Sequence, residues 1–393
     1  MSQGSVVGSS EVDIHHHFVW GTEEEAMSTV LAEFEERTGA TVTEERTVIN
    51  SLRLMIKSRI LQEDPPDVWD EWPGANLRPT VEAGATADIT EVWEAEGMDR
   101  AYFDGMAEAA RFDGEYHAVP LDIYRISNLY YNVEYFEAAG VDPSRLSDPT
   151  ELVEALPALA EVAEYPFAVF GRNPYGLLQL WETLLLGHGG ASVYEAVIDG
   201  GAAAHRGVIR QAFATLGALL EFGPDNPEFL DSADVDGDFS DGRVGCINNG
   251  SWTTGHMASS EMEFERDWNC VPFPGTAGTP IVNTNAIVPA AGAMDDETVR
   301  EFVEYISDAE TIERFNVISG SVPPRSDVSV GELHPLSRQL HEQFGGSDAQ
   351  LPSMCHGLAV GPTEVVELKD AVATFLADRD PDAAADIVVD ALS

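Results

Sequence analysis

Apolar and polar positions alternate at the start of the chain. In "EVDIHHHFVW" (11–20), Val12, Ile14 and Phe18 stand against polar neighbours, a period of two that predicts a strand. In "TEEEAMSTVLAEFEERTG" the period becomes 3.6, with Met27, Val30, Leu31 and Phe34 on one helical face. Thr22 and Glu25 have the spacing of a capping box, and Gly39 stands where such a helix ends. "TVTEERTVI" predicts a second strand and residues 51–62 a second helix. A third strand follows the prolines of "EDPPDVWDEWPGAN" (63–76). Strands and helices in alternation predict an α/β fold with a mostly parallel sheet. Ligands bind beyond the carboxyl ends of such strands, where Trp20 and Trp72 both fall.

The middle, "RFDGEYHAVPLDIYRISNLYYNVEYFEAAGVDPSRL" (111–146), turns at Asp113-Gly114, runs through two extended stretches and ends in a helix closed by Gly140. Helical segments are expected from 150 to 222. "GRVGCINNGSWTTGHM" (242–257) predicts a buried strand running into a Gly-containing turn, and "NCVPFPG" and "TNAIVPA" predict two more strands. "MDDETVREFVEYISDAETIERFNVISGSVPPR" holds two helices, with Ser307 and Glu310 as a second capping box. A terminal helix follows, with Asp380 as N-cap and Pro381 in its first turn. No repeat of fixed period is present.

A chain of 393 residues is long for one domain, so two lobes are expected. No apolar run approaches the ~20 residues of a membrane span. Charge changes the picture most. Acidic residues outnumber basic ones 69 to 21, for a formal net charge of −48, and Lys57 and Lys369 are the only lysines. The excess is spread along the chain, which points to adaptation to a salty solvent and not to an acidic tail. Without a basic stripe to release counter-ions, nucleic acid is excluded as a partner. Cys246, Cys270 and Cys355 are too few for a disulfide scaffold; a Cys246–Cys270 bridge is open, with buried free thiols the preferred reading. Residues 1–10 read as a flexible linker. No signal peptide follows Met1, so either the protein is cytoplasmic or an export signal lies upstream.

Four stretches carry a resemblance in their order and spacing: "DPPDVW", "FDGEYHAVPLDIYRISNLYYNVEYFEAAGVDP", "NNGSW" and "SDAETIERFNVISGSVPPR". Over residues 11–393 the chain resembles the extracytoplasmic solute-binding proteins of ABC importers, in their sugar-binding branch. It is most similar to the glucose- and mannose-type members through "WETLLL", "NGSWTTGHM" and "CHGLAVGP". The resemblance implies the two-lobed periplasmic-binding-protein fold, with three crossovers and the ligand in an interlobe cleft. Mapped on this chain, the first lobe is 11–122 plus 283–325 and the second 123–282 plus 326–393. Crossovers are expected at Pro120–Arg125, near Pro280–Asn283 and at Pro323–Arg325. It further implies a monomeric receptor without catalytic residue, metal or cofactor. Such a receptor works at the outer face of the membrane and hands a mono- or oligosaccharide to the permease subunits and their ATPase.

A pyranose offers apolar C–H faces and a rim of hydroxyls, so it needs a flat aromatic for the face and short polar groups for the rim. Trp72 and Asp70 fall where the family presents ligand contacts, while Trp69 points into the sheet. Relatives carry other polar side chains at 70 and 72, and Trp72 packed on its own lobe is the alternative. Trp252, after Asn249, Gly250 and Ser251, matches the family's stacking tryptophan. Trp20 and Glu23 sit at the first strand–helix junction, where Glu23 could equally complement the helix dipole. Trp181 is either a ligand contact or helix core. Asp122, Tyr124 and Arg125 lie on the first crossover, with Arg125 open to a second role as partner of a buried carboxylate. Asn283, Thr284 and Asn285 lie at the second crossover and Arg325 at the third. His356, beside Cys355, matches a family ligand position.

Two alternatives remain. His15 and His17 would share a strand face and could begin a metal or iron site, most plainly if His256 converged on them. A glycosidase would need a carboxylate pair across a scissile bond, which chance supplies among 69 acids. No G-x-S-x-G elbow, H-E-x-x-H or P-loop is present.

Overall fold

The computed structural model describes residues 10–172 and 174–393. All of the expected linker except Ser10 lies outside them. Two compact units form: one of residues up to Ile123 with Thr284–Leu333, the other of Tyr124–Asn283 with His334–Ser393. Residues 326–333, expected in the second lobe, group with the first unit, where Ser326 N–H and Oγ donate to the Ala101 carbonyl at 2.7 and 2.9 Å.

Among the described residues fourteen strands run in chain order. The first unit begins with β1 (Glu11–His16), β2 (Thr41–Arg46), β3 (Val68–Glu71), β4 (Arg111–Phe112), β5 (Glu115–Tyr116) and β6 (Val119–Pro120). The second contributes β7 (Tyr124–Arg125), β8 (Asn128–Asn132), β9 (Tyr165–Ala168), β10 (Val244–Asn249), β11 (Trp268–Pro272) and β12 (Ile281–Asn283). Then β13 (Ala286–Pro289) belongs to the first unit and β14 (Leu351–Pro352) to the second.

In the first unit the sheet order is β2-β1-β3-β13-β6. β1 pairs in parallel with β2 and β3, as the strand–helix alternation predicts, but β13 is antiparallel to both β3 and β6. The sheet is therefore mixed, because β13 enters after the chain has passed through the second unit. The strand expected over 11–20 stops at His16, and helix Gly21–Thr38 buries Met27, Val30, Leu31 and Phe34 as predicted, closing on Gly39 at φ 72°. The first capping box does not form: Trp20 holds the N-cap position, and Thr22 Oγ1 donates instead to the Ser319 carbonyl at 2.8 Å. Nor does the second, since Asp308 caps helix Ala309–Ser319 by accepting from Glu310 N. Both motifs matched in spacing, but Thr22 falls inside its helix with its hydroxyl turned to Ser319, and at the other helix Asp308 takes the cap in place of Ser307. The turn at Asp113-Gly114 has φ 51° and 103°, as a two-residue hairpin requires.

The second unit holds a sheet of order β11-β8-β10-β9 and a short one, β14-β12-β7. β9 falls in the stretch where only helical segments were expected; "YPFA" is too short and too apolar to reveal its period. Its core gathers Leu177, Leu180, Trp181, Leu184, Phe213 and Phe375, all buried, around helix Tyr175–Gly189. The Cys246–Cys270 bridge is absent and all three cysteines are free. Cys246 on β10 and Cys270 on β11 are separated by β8, which puts them about 9–10 Å apart at ordinary strand spacing. A disulfide spans at most about 7 Å between α-carbons. Among the described residues no helix is long and apolar enough to cross a membrane.

Candidate functional site

In the first unit, the candidates collect at the carboxyl ends of β1 and β3. Asp70 is fully buried on β3. Its Oδ2 pairs with His17 Nδ1 and accepts from His17 N–H at 3.3 Å, while Oδ1 has no partner. Burial works against an imidazolium at His17, but the Asp70 charge and hydrogen bond, with Glu23 adding to them, raise it above the usual histidine range. Glu71 accepts from Arg53 Nε at 2.8 Å, and the Arg53 guanidinium lies 4.2 Å over the Trp72 ring. The Trp72 indole N–H donates to Asn285 Oδ1 at 3.0 Å. Asn285 in turn donates from N and Nδ2 to the two Asp122 oxygens, each at 2.9 Å, and Thr284 Oγ1 donates to the Asp122 carbonyl at 2.7 Å. Trp72 is thus a pinned ring, 9% exposed, with a cation over it. Burial, with smaller additions from Glu23 and Asp70, pushes the Asp122 carboxyl up to about 8 despite the Asn285 bonds. Trp20 stands 75% exposed at the start of its helix.

In the second unit, the chain turns sharply after β10. Asn249 Nδ2 donates to Asp236 Oδ1 at 3.0 Å and its Oδ1 accepts from Gly250 N at 2.9 Å. Ser251 exchanges bonds with the Arg125 backbone, donating N–H to the carbonyl at 2.9 Å and accepting at Oγ at 3.1 Å. The turn lays the Trp252 ring back on Gly250, so closely that a Cβ at 250 would stand 2.2–2.4 Å from three ring atoms. Gly250 is not among the positive-φ residues, so it is the ring and not the backbone that requires glycine. Tyr124 meets Trp252 edge-on at 5.5 Å, and His356 stands 5.8 Å away.

His356 is held from both sides, by Tyr175 OH at Nε2 and by Ser353 Oγ at Nδ1, 2.8 Å. Its loop is anchored on Glu182, which is fully buried in helix Tyr175–Gly189. Glu182 Oε1 accepts from Ser353 Oγ at 2.8 Å, and Oε2 accepts from Met354 N at 2.7 Å, Tyr194 OH at 2.9 Å and Cys355 N at 3.3 Å. Burial pushes Glu182 up to about 7, against the pull of these bonds. The result is a cluster of aromatic rings at steep angles to one another, Tyr124 on Trp252, Trp252 on His356 and Tyr175 on His356, beside a rigid polar loop. Asn283, paired with Tyr124 through β12 and β7, is buried with an unpartnered Oδ1.

Several expectations are corrected. Trp181 is core: it is fully buried and stacked on Phe213 at 5.3 Å, on the helix face away from any surface. Arg325 is a structural cation in the first unit, with Nε and Nη2 both 2.8 Å from the Asp327 carboxylate and Nη1 donating to the Ser307 carbonyl. Arg125 is not the partner of a buried carboxylate: its guanidinium donates to neutral acceptors, Ser127 O, Gln343 Oε1 and Thr276 O. His15 and His17 do not act together, because β1 ends at His16: His15 Nε2 turns to Asp13 at 3.1 Å and Arg59 at 2.9 Å. His256 lies in the other unit. Among the described residues, the metal-spaced group is Glu182, Cys355 and His356. It does not fit a resident ion, since the carboxylate oxygens and both imidazole nitrogens already hold hydrogen bonds. Sequence reasoning passed over Tyr175, Glu182 and Gly250. Only Gly250 carried a signal, a glycine two residues before a tryptophan.

Comparison with known proteins places this arrangement. A family model described as bacterial extracellular solute-binding protein matches residues 29–334. The xylose/arabinose-binding protein XacG of Haloferax volcanii is 28% identical, over 98% of this chain and 85% of its own. An uncharacterized ABC transporter extracellular-binding protein of Pyrococcus horikoshii is 24% identical, over 97% and 87%. A solved structure from work on xylan utilization by the thermophilic bacterium Caldanaerobius polysaccharolyticus superposes with a TM-score of 0.85 at 17% identity, covering 98% of this chain and all of that one. With its two α/β units and a family match over more than half of its length, the chain belongs to the bacterial extracellular solute-binding proteins, a family of receptors and not of enzymes.

Proposed function

We propose that this chain is the sugar receptor of an ABC import system, working outside the cell as a monomer and passing its ligand to the permease. The observation that carries this reading is the Trp252 ring, packed against Gly250 with Tyr124 meeting it edge-on and His356 tilted beside it. Such a ring offers one apolar face to the C–H side of a sugar, and the Glu182-anchored loop beside it holds His356, whose two ring nitrogens are bonded to Tyr175 and Ser353, as a rigid neighbour of that ring. On the first unit, the unpartnered Asp70 Oδ1 is an acceptor of the kind that hydroxyl recognition uses. Trp20, Glu23, Asp122, Tyr124 and Asn283 complete the proposed contacts. A neutral monosaccharide is the ligand class. Glucose is supported by the resemblance of "NGSWTTGHM" and "CHGLAVGP", and a pentose by the similarity to the xylose/arabinose-binding protein of Haloferax volcanii. The acidic composition supports a salt-adapted protein.

Titration calorimetry in molar salt with D-glucose, D-mannose, D-xylose and L-arabinose tests the reading. At least one is expected to bind with Kd below about 10 μM, near −7 kcal/mol. No heat from any of the four, with a folded protein in the cell, overturns it.

A further inference from the structure

Two arginines of this chain are buried to 3% exposure or less, Arg125 and Arg325. Arg325 has its carboxylate, Asp327. Arg125, in a chain with 69 acids, has none within ion-pair distance among the described residues. Its guanidinium donates to Ser127 O at 3.3 Å, Gln343 Oε1 at 3.0 Å, Thr276 O at 3.1 Å and Thr276 Oγ1 at 3.4 Å, all neutral. At least one of its five N–H groups is left without a protein acceptor. A buried charge is ordinarily matched by a counter-charge. The end of helix Pro335–Gly345, which carries Gln343, supplies at most about half a negative charge.

Beside this unmatched cation lies a cavity of about 210 Å³, with Arg125, Gln343 and Ser347 as its polar lining and Gly278, Leu340 and Phe344 among its other walls. Every lining residue belongs to the second unit. No carboxylate is among the lining residues, although Asp348 follows Ser347 and carries its carboxylate close to Gly278, and the apolar residues lower the local dielectric, which strengthens attraction to the guanidinium.

We propose that this cavity is a small-anion site, taking a halide or a short carboxylate as the counter-ion that Arg125 lacks. The space suits a monovalent ion with a few waters, and a guanidinium with hydrogen-bond donors and acceptors at hand is the ordinary recognition element for either anion. The site bears on the proposed ligand ring through one residue: the Arg125 backbone N–H donates to Ser251 Oγ and its carbonyl accepts from Ser251 N–H, as well as from Asn128 Nδ2, and Ser251 stands next to Trp252. An anion that fixes Arg125 therefore also steadies the turn carrying that ring. This inference stands apart from the sugar reading and does not fail with it.

The test uses the full chain at fixed sodium concentration. In crystals grown in sodium bromide, an anomalous peak is expected within about 3.5 Å of the Arg125 Nη atoms. In solution, chloride-35 line broadening caused by the protein is expected to fall at least about tenfold in affinity in Ser347→Asp, whose carboxylate supplies a built-in counter-ion at the cavity. Ser329→Asp, with the same change in net charge on the other unit, is expected to keep the broadening. Acetate competing with chloride extends the site to carboxylates; acetate without effect overturns that half of the proposal and leaves a halide site. A cavity holding only water in bromide, or broadening equal in Ser347→Asp and Ser329→Asp, overturns the whole.

Discussion

Replacing Gly250 by alanine adds one methyl group to the proposed site and removes no hydrogen bond. That methyl would stand 2.2–2.4 Å from three atoms of the Trp252 ring, whereas carbon atoms rest at about 3.5–4.0 Å. The ring must therefore move by more than about 1 Å. Gly250 is at an ordinary φ, so alanine itself is unstrained there, and fewer unfolded conformations favour it by about 0.4–1 kcal/mol. Trp252 is only partly buried, so its ring can swing outward, and the unfolding midpoint should stay close to that of the parent. Binding should not. Loss of a flat stacking face removes about 0.5–1.5 kcal/mol beyond the buried area, and a displaced ring also loses burial at about 25 cal/mol per Å². The expectation is at least a tenfold weaker sugar Kd, about 1.4 kcal/mol. Calorimetry on Gly250→Ala, Trp252→Ala and the double variant reads the coupling directly. Once Trp252 is gone, alanine at 250 should have no further effect. Full additivity of the two losses, or parental affinity in Gly250→Ala, refutes the argument.

Glu182→Ala should unfold at markedly lower denaturant, losing at least about 3 kcal/mol, because Ser353, Tyr194 and two backbone N–H groups lose a buried acceptor; an unchanged midpoint would make the anchor dispensable. Asp122, pushed up to about 8 by burial, holds its proton in the fold across a range where the unfolded chain has released it. Its contribution is therefore fully present below the unfolded value of about 4 and is lost as pH rises through about 8. Asp122→Asn should flatten the fall in stability over that window at constant salt, and an identical slope in both proteins would count against it. With 69 acids against 21 bases, the unfolding midpoint should drop steeply when salt is diluted from molar to about 0.1 M, where the Debye length reaches about 10 Å; a midpoint flat across that range would dismiss salt adaptation.

The elements with a strong period were legible in the chain. Met27, Val30, Leu31 and Phe34 bury one face of their helix, and Asp380 caps the last helix by accepting from Asp382 and Ala383 N–H groups. The short strands β9 and β12 were not, because so short a run carries no period; β3 and β13 are as short, but prolines and turn residues beside them marked them out. Parallel pairing was read from local alternation, yet β13 arrives from far along the chain and reverses direction, which no local window can reveal. At the site, residue type said which side chains suit a sugar but not which way they face. Trp181 and Trp252 looked alike as tryptophans; one stacks in the core on Phe213 and the other lies on Gly250. Arg325 looked like a ligand contact until Asp327, two residues on, turned out to hold it bidentately.

The place of β13 also bears on how the molecule comes to be made. It lies between β3 and β6, bonded to both, so those strands face a gap until the nascent chain has grown past Pro289. Unpaired strand edges invite pairing with other chains, and incompletely assembled intermediates are prone to aggregate. The second unit waits longer still, since helix Pro381–Ala391 at the very end packs on helix Arg206–Leu220. Neither unit is a unit of synthesis. A chain cut after Asn283 lacks the closing strand of one sheet and the last helices of the other unit, and a ribosome stalled there presents two unfinished halves in place of one finished lobe.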